Sequence, residues 1–157
     1  MNEFVSPLVL SLEIGLTSTI LVVLIGVPLA WLLAKQDFPG KKTIEVIVTL
    51  PLVIPPSVLG YYLLLLFGRQ GPLGKLLFNL GVNVIFTPIA AVLASAIVSF
   101  PLLVRTVQSA IRGVDRCLEE AFLAQGATPR QTALYVTLPL ARHGLVAGIV
   151  LAFARGI

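Results

Sequence analysis

Charge is what this sequence has least of. Only 11% of its residues are Asp, Glu, Lys or Arg, against roughly 25% in soluble domains, and 57% are hydrophobic. That excludes an ordinary soluble domain and places the chain in the membrane class. A single cysteine, Cys117, excludes an internal disulfide framework and a cysteine metal cluster. Within an amphipathic helix it is expected to pack as a small apolar residue. The one histidine, His143, sits at a membrane boundary, where an interfacial place is expected rather than metal binding or catalysis. No basic helix face interleaved with aromatics is present, so the net charge of +4 is not read as nucleic-acid binding. The start, Met1-Asn2-Glu3, lacks the basic region of a signal peptide, and the apolar run behind it is far longer than a signal's core. It is read as a retained span.

Two chemistries are missing as well. A phosphate-binding loop needs Gly, four residues, then Gly-Lys-Ser/Thr. From Gly68 to Gly74 there are five intervening residues, and Leu76 follows Lys75. An intramembrane enzyme would need paired ionisable or nucleophilic groups at depth, and the complete apolar runs carry none.

Long apolar runs are what the chain does have. Residues 8–34 are interrupted only by Glu13 and Pro28, and at about 1.5 Å per residue they exceed the roughly 30 Å of bilayer hydrocarbon. No charge occurs between Glu45 and Arg69, giving a span over about 43–67, nor between Lys75 and Arg105, giving one over about 85–104. A fourth run starts near Leu145 and is too short to cross before Arg155, so the chain is expected to be C-terminally truncated. Lys35, Lys41 and Lys42 lie in the first connection, and Arg105, Arg112, Arg116, Arg130 and Arg142 in the third. The second holds only Arg69 and Lys75. The positive-inside rule therefore puts the N-terminus outside and residues 105–143 in the cytoplasm.

Pro51, Pro55 and Pro56 prevent a regular helix through the second span. Carbonyls freed at depth must be satisfied by protein or by a water-lined path, and broken helices often line transport routes. A packing kink is the alternative. With the adjoining Ser57 and Gly60, these prolines are candidate pathway residues. Arg155, a cation in an apolar segment, is another; pairing with a carboxylate or snorkelling would also account for it. Glu13 and Glu45 lie near span ends, where headgroups or neighbouring helices are within reach. Gly144, Gly148 and Ala152 recur every fourth residue and form a close-packing face, expected within the chain.

Residues 105–143 form a polar island. Val114, Cys117, Leu118, Ala121, Phe122 and Gln125 recur at helical spacing, with Arg112, Arg116 and Glu119 opposite and Glu120 on the flank. Gly126 supplies a helix stop. Thr128-Pro129-Arg130-Gln131 reads as N-cap, first helical residue and capping box, and Pro139 as the end of a second helix. An interfacial anchor is one reading. Asp115, Glu119 and Glu120 make the polar face mixed in charge, which favours docking to a protein.

The spacing Glu-Ala-x-x-x-x-Gly, nine residues, then Val-x-Leu-Pro resembles the EAA loop of binding-protein-dependent ABC importer permeases. Glu120, Ala121, Gly126, Val136, Leu138 and Pro139 match it in order, and Phe122 departs from its second alanine. Segments 50–62, 68–74, 99–105 and 151–155 resemble the molybdate permease branch, whose relatives carry sulfate, tungstate or thiamine. The resemblance runs along essentially the whole chain and implies an all-α, polytopic type I ABC importer transmembrane domain in the cytoplasmic membrane. It further implies a continuation past Arg155, a second permease copy, an external binding protein, and a cytoplasmic ATP-binding subunit that alone holds ATP and magnesium. Glu119, Glu120, Ala121, Gly126, Thr128, Pro129, Leu138 and Pro139 would then couple this chain to the ATP-binding subunit, whose closure tilts the spans. No cofactor is expected on this chain. A permease for a related oxyanion, or a channel or scaffold without ATP coupling, are the competing readings.

Overall fold

The computed structural model describes residues 2–68, 71, 74–75 and 87–157, with the side chains of 2–6 and Pro56 set aside. Those residues form helices and connections, with no strand among them. Helix α1 is Asn2–Lys35, α2 Lys41–Val53, α3 Pro56–Phe67, α4 Pro88–Arg112, α5 Arg116–Ala124 and α6 Pro129–Thr132. A π-helical segment, Ala133–Thr137, leads into α7, Leu138–Gly156.

Pro7–Lys35, Pro88–Arg112 and Pro129–Gly156 are each long and apolar enough to cross a membrane. α2 and α3 pass the same test as a pair, bent by 113° at their junction. The break falls later than the first proline. Pro51 stays inside α2, and the chain leaves the helix at Ile54 (ψ 131°) and Pro55 (ψ 139°), each followed by a proline. A proline ring disfavours the helical conformation of the residue before it, so two successive X-Pro bonds force extended backbone here.

α1, α4 and α7 make the core. Val22, Ala30, Leu33, Leu103, Val104, Val107, Ile111, Ala141 and Ala152 are buried among them. Gly26 of α1 faces Leu103 and Val104, and the Leu33 carbonyl faces Gln108, so α1 and α4 run the same way. α7 runs against both: Gly144 faces Ala110, Gly148 faces Val107, and the Gly156 carbonyl accepts from Ser95 Oγ at 2.5 Å. Small residues make this contact possible. A Cβ on Gly144 would sit 2.1 Å from Ala110 Cβ, closer than any atoms pack. The four-residue small face is therefore intramolecular, as its spacing implied. Buried hydroxyls cost little because they donate backwards along their own helices: Thr19 to the Gly15 carbonyl at 2.6 Å, Ser99 to that of Ser95 at 2.7 Å. Among the described residues no buried side-chain N or O lacks a partner.

Two expectations need correcting. Pro139 does not end a helix, and the fourth apolar segment is not a short run from Leu145. The helix that starts at Pro129 continues to Gly156 over 28 residues. The π turn explains this. The Leu138 N–H donates to the Ala133 carbonyl, five residues back, and the widened turn just before Pro139 relieves the clash its ring would make with an α-helical carbonyl. α4 itself stays helical to Arg112, past the expected end of the apolar span at 104. The expected start of that span at 85, and Arg69 of the second connection, lie outside the described residues.

Candidate functional site

Between α4 and α7 the chain folds into a hairpin through strictly local signals. Gly113 closes α4, and Asp115 caps α5 by accepting the Cys117 N–H at 2.9 Å. Gly126 adopts φ 91°, the left-handed conformation that turns the chain after α5. Thr128 and Gln131 then form the capping box: Gln131 Oε1 accepts the Thr128 N–H at 2.8 Å, and Thr128 Oγ1 accepts the Gln131 N–H at 3.4 Å. Pro129 takes the first helical position, as its spacing implied.

The faces of α5 are not those expected. α5 has no buried residue. Cys117, Leu118, Glu120 and Ala121 are exposed, Leu118 at 51%, so the predicted packing of Cys117 is wrong within this chain. Cys117, Leu118, Ala121 and Gln125 of the apolar stripe point away from the bundle, while Val114 is buried in the core and Phe122 is half-buried. Glu119, expected on the outer polar face, points inward with its side chain only 14% exposed. Both its oxygens meet Lys35 Nζ, at 2.5 and 2.6 Å, and Thr137 Oγ1 donates to it at 2.5 Å. One carboxylate thus joins the last residue of α1, the hairpin and the π segment. Burial pushes the Glu119 carboxyl up, but the Lys35 and Thr137 hydrogen bonds and the Lys35 charge outweigh it and hold it below the usual carboxylate value. Beside this junction opens a cleft of about 270 Å³, lined in part by Trp31, Lys35, Glu119, Leu123 and Thr132.

A second polar junction ties α2 to the same end of the bundle. Glu45 Oε1 accepts Gln108 Nε2 at 2.7 Å and Arg112 Nη2 at 2.9 Å, and both donors also reach the Leu33 carbonyl. Arg105 Nη2 donates to Thr49 Oγ1 at 2.7 Å.

Of the residues expected to couple, Glu120, Ala121, Gly126, Thr128, Pro129 and Pro139 are exposed on or beside the hairpin, Leu138 is half-buried, and Glu119 alone is turned in. Leu134 and Tyr135 of the π segment are also exposed, at 60% and 71%. The candidate pathway residues lie on or beside three different helices. Pro51 is half-buried in α2; Pro55, Ser57 and Gly60 are exposed along α3; Arg155 is exposed at the far end of α7. Pro56 opens α3, and its side chain lies outside the described set. His143 and Glu13 are exposed. Sequence reasoning missed Lys35 and Thr137. Thr132 and Thr137 stand five apart, a π spacing that no α-helical pattern picks out.

Apolar helices of spanning length, packed through glycines and capped by a polar hairpin, define a multi-pass helical membrane protein. Residues 26–157 match the family described as binding-protein-dependent transport system inner membrane component, and the chain belongs to that family. It is 42% identical over 149 residues to the molybdenum transport system permease protein ModB of Escherichia coli, covering 94% of this chain and 65% of that protein. It is 40% identical over 154 residues to ModB of Haemophilus influenzae, covering 98% and 67%. Against a probable sulfate transport system permease protein of Chlorokybus atmophyticus, identity is 37% over 153 residues, covering 98% and 54%. The chain thus spans about two thirds of the length of its molybdenum-permease relatives.

Proposed function

We propose that this chain is the membrane-spanning part of an ATP-driven importer of molybdate, and that its hairpin docks a separate cytoplasmic ATP-binding subunit. The observation that carries the proposal is the outward-facing stripe on α5. Cys117, Leu118, Ala121 and the flanking Glu120 are held exposed at one end of the bundle by a capped, glycine-bounded hairpin. An apolar stripe with mixed charge on its flank suits a protein groove. The family description supports a binding-protein-dependent system, hence an external binding protein, and the excess of Lys and Arg in the first and third connections supports an N-terminus outside and a hairpin in the cytoplasm. A second permease copy completes the pathway, since so few helices enclose no route alone. Hydrolysis of ATP belongs to the partner, and this chain performs no covalent chemistry. Molybdate is preferred over sulfate because the molybdenum permeases are the more similar relatives.

The test is ATP-dependent uptake by the reconstituted complex, with molybdate, tungstate and sulfate in competition. Uptake of molybdate that requires both the binding protein and the ATP-binding subunit is the expected result. Preference for sulfate would move the chain to that branch, and uptake without ATP would remove the coupling role.

A further inference from the structure

Glu119 adjoins the Glu120 of the docking stripe yet faces the other way. α5 has no buried residue, lies between Gly113 and Gly126, and packs principally on α6 and the π segment. Apolar burial therefore holds it only weakly to the bundle, and a helix so placed would pivot on its flanking connections without moving α1. The contact that prevents this is polar. Lys35 Nζ on Glu119 bridges residues 84 apart, and Thr137 brings the π segment to the same carboxylate. The Thr137 side chain is buried, 1% exposed, so its hydroxyl has no alternative in solvent. A carboxylate in this setting is directional: it can pull as well as push, because breaking it leaves a half-buried Lys35 and a buried hydroxyl with a poorer partner, the Thr132 carbonyl at 3.5 Å.

We propose that Glu119 is a positioning residue that transmits displacement of the docking hairpin to α1, through Lys35, and to α7, through Thr137. Glu120 and Leu118 meet the partner, and Glu119 carries the motion inward. This inference rests on the docking role proposed above. It also assigns different tasks to two adjacent glutamates that sequence pattern alone groups together.

The experiment compares Glu119→Gln, Lys35→Met, Thr137→Val and the exchange Lys35→Glu with Glu119→Lys in the reconstituted transporter complex. It reads three quantities: retention of the ATP-binding subunit, ATP turnover, and substrate taken up per ATP. Coupling energies of this kind correspond to about fivefold or more in the coupled quantity. The expected result is that the single variants keep the subunit and hydrolyse ATP while uptake per ATP falls about fivefold or more, and that the exchange recovers much of it. Uptake per ATP unchanged in Glu119→Gln and Lys35→Met overturns the inference. So does loss of the subunit that the exchange does not restore, since the junction would then be merely structural. If the unaltered complex itself shows no ATP-coupled uptake, the docking reading has failed rather than the assignment of Glu119.

Discussion

The three-helix core and the hairpin at its end are held by opposite means. α1, α4 and α7 touch through glycine, alanine and back-bonded hydroxyls, with Gly144 pressed onto Ala110 and Val22, Leu103 and Val107 fully buried. α5 has no fully buried residue and is held by a cap at Asp115, a left-handed Gly126 and one shared carboxylate. The core derives its strength from many small contacts over a continuous surface, none of which can change alone. The hairpin depends on a few polar contacts that can break singly. The difference separates a part that keeps its shape as a whole from a part whose contacts can give way one at a time.

The comparison breaks most completely at Gly144. Gly144→Leu should cost about 3 kcal/mol or more through overpacking, read as loss of the folded protein from detergent extracts or a large drop in melting temperature. Gly144→Ala should be milder and partly rescued by Ala110→Gly. Next comes the Glu45 junction. Glu45→Ala strips Gln108 and Arg112 of their carboxylate and should cost about 1–2 kcal/mol, the lower end of such losses because Arg112 is 45% exposed. Thermal unfolding measures it. In the hairpin, Asp115→Ala removes a cap and should cost about 1 kcal/mol or less. Smallest in stability is Glu120→Lys, within about 0.5 kcal/mol, yet it should abolish coupling to the ATP-binding subunit. Insertion with normal ATP-dependent uptake would contradict the docking role.

Two further measurements sharpen the contrast without altering the fold. Cys117 should react with maleimide in the free chain and be protected when the ATP-binding subunit binds. The Asp115 charge, with its hydrogen bond, raises the thiol, so labelling should accelerate only toward alkaline pH. For Glu119 the folded carboxyl is depressed. Its contribution to stability is complete above the unfolded value and is lost as pH falls through the folded value. The difference in melting temperature between the natural chain and Glu119→Gln should therefore persist from neutral pH to mild acid and vanish below.

What could be read in advance divides along the same line. Thr128, Gln131 and Gly126 were legible because caps and left-handed turns depend on residues within one turn of each other. The Gly144–Gly148–Ala152 face was legible because small residues at four-residue spacing have few other uses. The end of the helix at Pro139 was misread, because a proline's effect depends on the register of the preceding turn, and a π turn carries no compositional sign. The inward orientation of Glu119 was illegible for a different reason. Its partner Lys35 is 84 residues away, and on helical spacing alone Glu119 belongs to the solvent face. The exposed Cys117 follows from the same rotation of α5.

The contact between Gly144 and Ala110 also limits how the membrane helices can respond. Two backbones separated by no more than the Ala110 methyl have little slack: neither can roll without dragging the other. Any torque reaching α7 from the hairpin therefore turns α4 as well, and the pair behaves mechanically as a single lever arm, with α1 as the rail along its side.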